Sequence, residues 1–124
     1  MINQKAQGFT LIELLIVITT TGILVAVLIP NLILSRNKAN DVSAYAFLRH
    51  CVNSMEMLKD LQGYVVKATK CDDPLLGDAG QHLPASVKTT AIKSSADLTE
   101  YNIVVTSSTG KIFKYENGQF IQGN

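Results

Sequence analysis

Between Phe9 and Leu34 the chain runs 26 residues with a single charge, Glu13. About 20 apolar residues span a bilayer as a helix. A helix apolar on every side must be buried in lipid or among other helices. This stretch therefore divides the chain. The 90 residues from Ser35 to Asn124 are left for a soluble domain, close to the lower limit for a self-sufficient core. The lone acid raises the functional question. A carboxylate in hydrocarbon is costly unless it is paired, and acids inside such segments mark function. The plain alternative is that Glu13 reaches the headgroups at the end of an ordinary anchor.

Residues 1–8, MINQKAQG, are short, polar and basic at Lys5. A secretory signal places its small-residue cleavage site after the apolar stretch. Here the small residue, Gly8, comes before it. A cut after Gly8 removes the charged leader, keeps the apolar segment and starts the mature chain at Phe9, with Glu13 four residues on. The apolar segment itself holds Thr19, Thr20 and Thr21, whose hydroxyls can bond back to the helix. Gly22 weakens the helix, and Pro30 removes a backbone donor and should kink or open it.

After Pro30 the pattern becomes amphipathic. Val42, Tyr45, Leu48, Val52 and Met55 recur at helical spacing, with Ala44, Cys51 and Leu58 widening the stripe. Arg36, Lys38, Asn40, Asp41, Arg49 and Asn53 fall mostly off it. One long helix is expected from about Phe9 to about Leu61, roughly 80 Å long, with Gly63 as its C-cap. Residues 63–85 read as an irregular loop. Strands follow over 86–93, 101–107, 111–116 and 119–122, where Asn117-Gly118 is a strong hairpin signal. The fold expected is α+β: a long N-terminal helix, transmembrane in its first half and amphipathic in its second, packed against a three- or four-stranded antiparallel sheet.

Net charge is +1, and loss of the leader with Lys5 leaves ten basic and ten acidic residues, so no electrostatic nucleic-acid binder is indicated. There is no GxSxG, HExxH, P-loop or GxGxxG motif. His50, Cys51 and Glu56 lie close on the helix, but a solvated face is the better reading. Asp72, Asp73 and Asp78 do not have EF-hand spacing and read as loop acids. Tyr45, Tyr64, Tyr101 and Tyr115 read as core or sheet-surface residues. The Ser/Thr clusters at 89–90, 94–95 and 106–109 read first as strand and turn residues. The expectation is no catalysis, no cofactor and no metal.

The stretch G-FTLIELLIVITTTGILVAVLIP, Gly8 to Pro30, resembles the bacterial type IV pilins and the related pseudopilins, with a type IVa-like class III prepilin signal. The glycine before the cut, the phenylalanine after it, the glutamate four residues on and the distal proline all match. Strong similarity covers about a fifth of the chain; the rest agrees in architecture. The resemblance implies cleavage after Gly8 and N-methylation of Phe9 by prepilin peptidase. It implies pairing of Glu13 with the N-terminal amine of Phe9 on a neighbouring subunit, and a stretch bounded by Gly22 and Pro30 that loses regular helix in the filament. Partners implied are further copies of the chain, prepilin peptidase, the inner-membrane assembly machinery, the membrane before assembly, and DNA or surfaces reached through the assembled filament. The precursor would sit in the inner membrane and the product on the cell surface, serving adhesion, twitching motility or DNA uptake.

After export the domain would face an oxidising compartment. A Cys51–Cys71 bridge would close a loop of about 20 residues and add roughly 3 kcal/mol in the chain-entropy model. Many family members place their disulfide around a C-terminal loop, so this pair is not inherited from the family pattern. The alternative is a buried Cys51 and a free Cys71. A pseudopilin of type II secretion or a minor pilin is the second functional reading. The acidic calcium site near the C-terminus of major pseudopilins has no counterpart in ENGQFIQGN. A membrane-anchored periplasmic binding domain that never polymerises is the third.

Overall fold

A computed structural model describes residues 8–80 and 82–123. The leader expected over 1–8 lies, apart from Gly8, outside them. The elements are α1 (Leu11–Met57), a 3₁₀ segment Pro74–Gly80, and strands β1 (Val87–Ser94), β2 (Tyr101–Ser107), β3 (Ile112–Glu116) and β4 (Gln119–Gly123). The strands form one antiparallel meander in the order β1-β2-β3-β4. The chain divides into two compact units, the first ending at Arg36 and the second spanning Asn37–Asn124.

In the first unit α1 is a bare apolar helix. Leu, Ile and Val side chains from Leu11 to Leu34 are all at least half exposed. The helix continues through Gly22 and Pro30 without interruption. Pro30 still lacks the N–H that would bond the Ala26 carbonyl. Thr19, Thr20 and Thr21 each donate their hydroxyl to the carbonyl four residues back, at 2.9, 2.8 and 2.7 Å. The three hydroxyls of this segment are thereby satisfied from within, as a helix in lipid requires.

The second unit has its own core. α1 contributes Ala44, Leu48, Cys51, Val52 and Met55, all buried. Facing them, β2 alternates cleanly: Tyr101, Ile103, Val105 and Ser107 are buried and the residues between them are not. Val87, Ile92 and Phe113 complete the sheet side. Two positions assigned to the helix stripe are corrected: Val42 is 62% and Leu58 41% exposed. Asp41, placed off the stripe, is buried. The helix also ends at Met57 rather than near Leu61. Gly63 caps no helix; its positive φ of 87° serves a separate turn closed by its N–H on the Asp60 carbonyl at 3.0 Å.

The 63–85 segment is more ordered than an irregular loop. The Val65 N–H bonds the Leu98 carbonyl and the Ile92 N–H bonds the Thr69 carbonyl, each at 2.8 Å, so this segment lines β1. Val65, Ala68, Cys71 and Leu76 reach into the core. Asn117 and Gly118 both take positive φ, 52° and 77°, and join β3 to β4 by the tight turn the Asn-Gly pair favours.

Candidate functional site: the N-terminal motif and the ties of the helix to the sheet

Thr10 and Glu13 form a reciprocal cap at the start of α1. The Thr10 N–H and hydroxyl both donate to Glu13 Oε2, at 2.9 and 2.7 Å, and the Glu13 N–H donates back to Thr10 Oγ1 at 3.3 Å. This is a capping box, and its signature T-x-x-E ahead of an apolar run is present in the sequence. Reading Glu13 only as a lone charge overlooked it. The cap occupies Oε2; among the described residues no partner is recorded for Oε1. Phe9 is 85% exposed beside it. The glutamate thus has a local role that holds in one copy, with acceptor capacity left for a second.

Further along, three polar or covalent ties fix α1 to the rest of its own unit. The first is Asp41. Its carboxylate accepts the Ser107 hydroxyl at 2.9 Å and the Thr109 hydroxyl, and pairs with Lys111 Nζ at 3.1 Å. Burial pushes this carboxyl up, but the bonds from Thr109, Ser107 and Lys111 and the lysine charge outweigh it and hold it below the usual aspartate range. All three partners sit on or beside the turn from β2 to β3.

The second tie is the disulfide between Cys51 and Cys71, with Cα atoms 5.5 Å apart. Both cysteines are buried, so the bridge is part of the core. The third is Glu56, which accepts the Tyr101 hydroxyl and pairs with Lys59 at 2.7 Å. The Lys59 bond, then the tyrosine bond, holds Glu56 below its ordinary value, while burial and the nearby carboxylate push the Tyr101 phenol up.

The remaining candidates scatter. His50 is exposed and makes no site with Glu56. Asp73 accepts the N–H of Leu75 at 3.1 Å and shapes its own turn. The side chain of Asp78 lies outside the described residues. Tyr101 is buried, Tyr45 and Tyr115 are half-buried, and Tyr64 is exposed in the turn after α1. Among the described residues no group of three His, Cys, Asp or Glu side chains could hold a metal ion.

With this geometry the comparisons with known proteins agree. The family model Pilin A4 matches residues 40–123, and the prokaryotic N-terminal methylation motif matches residues 3–29. The chain is 38% identical over 111 residues to the type IV wide pilus major component PilA4 of Thermus thermophilus, covering 89% of this chain and 80% of that one. Similarity to the type II secretion system core proteins G of Escherichia coli and Aeromonas hydrophila is 34% over 57 residues. It spans 46% of this chain and 39% and 40% of theirs. No solved structure matches. The chain belongs to the type IV pilins, a family of structural subunits rather than enzymes.

Proposed function

We propose that this chain is the structural subunit of a type IV pilus, inserted in the inner membrane as a precursor and assembled into an extracellular filament after its leader is removed. The observation that carries the reading is the Gly8–Phe9–Glu13 motif at the head of an apolar helix with no cover of its own. Prepilin peptidase cleaves after Gly8 and N-methylates Phe9. Cleavage removes Lys5 from the membrane-entering end and creates a cationic amine at the depth of Glu13. The apolar helix then exchanges lipid for neighbouring helices. Gly22 and Pro30 bound the stretch that yields regular helix during that exchange.

Glu13 has two roles in this reading. It caps its own helix through Oε2 and meets the amine of the next subunit's Phe9. The pair is needed because an unpaired charge in an apolar bundle is strongly unfavourable. The two roles are separable. Glu13→Gln keeps an amide oxygen for the cap and loses the charge; Glu13→Ala loses both. Both variants should be cleaved at Gly8 and fail to appear in sheared filaments. Filaments from Glu13→Gln at the wild-type level would show that only the cap matters. Twitching motility and DNA uptake are the cellular activities to score beside filament yield. The pseudopilin reading is the weaker one, because the similarity to type II secretion proteins spans less than half of each chain.

A further inference from the structure

The second unit keeps two apolar patches open to a partner, one clear of its core and one that reaches down to the core residue Phe113. The first is a knob. Met57, the last residue of α1, is 84% exposed, and Leu61 in the turn beyond it is fully exposed. The turn that carries Leu61 is firmly tied. Asp60 Oδ1 accepts the N–H groups of Gln62 and Tyr64 at 3.0 and 2.7 Å, and the Asp60 N–H donates to the Tyr64 carbonyl at 3.1 Å. An ordered turn that holds a leucine in water leaves apolar surface available to a partner.

The second patch is a groove between α1 and the β3–β4 hairpin, about 220 Å³ in volume, lined by Val42, Tyr45, Phe113 and Gln122 together with Lys38 and the Asp41–Lys111 pair. An apolar cavity of about 150 Å³ holds a benzene ring, so one leucine side chain fits. Phe120, 40% exposed, extends the apolar surface from Tyr45, and the Arg49 guanidinium lies 5.9 Å from its ring centre.

The charges are complementary. On the knob Glu56 is neutralised by Lys59, which leaves Asp60. At the groove Asp41 is neutralised by Lys111, which leaves Lys38 in the lining and Arg49 beside Phe120; neither has an ion pair among the described residues. The two patches are also displaced along one direction. Val42 and Met57 are 15 residues apart on the same helix, or about 22 Å at the helical rise. Contact between two different patches is heterologous, and where its rotation does not close a ring it generates an open helical polymer.

We propose that the turn over residues 57–64 of one copy docks on this groove in a second copy, with Leu61 seated against Val42, Tyr45 and Phe113 and Asp60 facing Lys38 and Arg49. The inference rests on the filament reading above and adds the contact that joins the globular units. The test is disulfide trapping in filaments sheared from cells, using the full chain with Val42→Cys and Leu61→Cys together. Mild oxidation should give a ladder of covalent oligomers, and neither single variant should do so. Filaments that form without a ladder overturn this contact and leave the filament reading standing; absence of filaments from the unaltered chain overturns the filament reading itself. Leu61→Asp supplies an independent measurement. Sheared yield should fall about tenfold or more, as for loss of an interface hot spot, while membrane-held subunit keeps its Cys51–Cys71 bridge. Wild-type yield from Leu61→Asp overturns the proposal.

Discussion

Asp41 sits where a helix meets a hairpin turn, and three donors converge on its carboxylate. Replacing it by asparagine removes the charge that Lys111 faces while keeping the size. Charge-assisted bonds of this kind carry more than neutral ones, and the expected loss is about 1.5 kcal/mol. Thermal unfolding of the detergent-solubilised full chain measures it; an unchanged midpoint would contradict the tie. The pH dependence has a definite sign. The folded carboxyl is held below its ordinary value, so its contribution is complete above the usual aspartate range near about pH 4 and is lost as pH falls through the lower folded value. The gap between wild type and Asp41→Asn should therefore narrow below about pH 4. Asp41 was hard to read in advance because a charged residue beside the apolar stripe is normally solvated. Its partners, Ser107, Thr109 and Lys111, lie more than sixty residues away. Glu13 is the opposite case. Its capping partner Thr10 stands three residues before it, so local spacing carries the pair, although reading Glu13 as a lone charge passed over it.

At the scale of elements, legibility followed the range of the forces involved. β2 was placed by its β-branched composition and β3–β4 by Asn117-Gly118, both short-range signals that tertiary packing did not overrule. The end of α1 was misplaced because apolar Leu58 and Leu61 continue the helical pattern, whereas Asp60 captures the N–H groups of Gln62 and Tyr64 and closes a turn instead. The disulfide is legible only as a possibility until the fold brings Cys71 against α1. It closes 20 residues. In the chain-entropy model that is worth roughly 3 kcal/mol. Cys51→Ala with Cys71→Ala should lower the unfolding midpoint of the second unit by roughly 15 °C on the scaling for a domain of this size. A shift of only a degree or two would mean the loop is held by its backbone bonds to Leu98 and Ile92 instead. For Pro30, helicity in the isolated chain and the proposed yielding in the filament predict a difference between states. Amides from Gly22 to Ile29 should exchange faster in filaments than those from Leu11 to Thr21, and Pro30→Ala should reduce the contrast. Equal protection along the segment in filaments would contradict a yielding stretch.

For the molecule as a whole, the two units answer different demands. The first carries apolar side chains with no cover of their own and threonine hydroxyls bonded within the helix, which suits lipid and a bundle of like helices equally. The second folds around its own core and is pinned along one helix by Asp41, by the Cys51–Cys71 disulfide and by Glu56, which holds the Tyr101 hydroxyl. A subunit that moves from membrane to filament needs its globular unit to stay intact while its helix changes surroundings, and these ties provide for that. Family membership was legible from the first thirty residues because processing and membrane entry impose chemistry on sequence directly. The docking surfaces were not, because Val42 and Leu61 look like core residues until the fold leaves them outside.

Intact-mass and N-terminal analysis of filaments sheared from cells tests the central claim most directly. The dominant species should begin at N-methylated Phe9, lack residues 1–8 and be lighter by two hydrogens for the closed Cys51–Cys71 bridge. A chain retaining Met1–Gly8 in cells with active prepilin peptidase, or a processed chain confined to the membrane fraction and missing from sheared filaments, would contradict it.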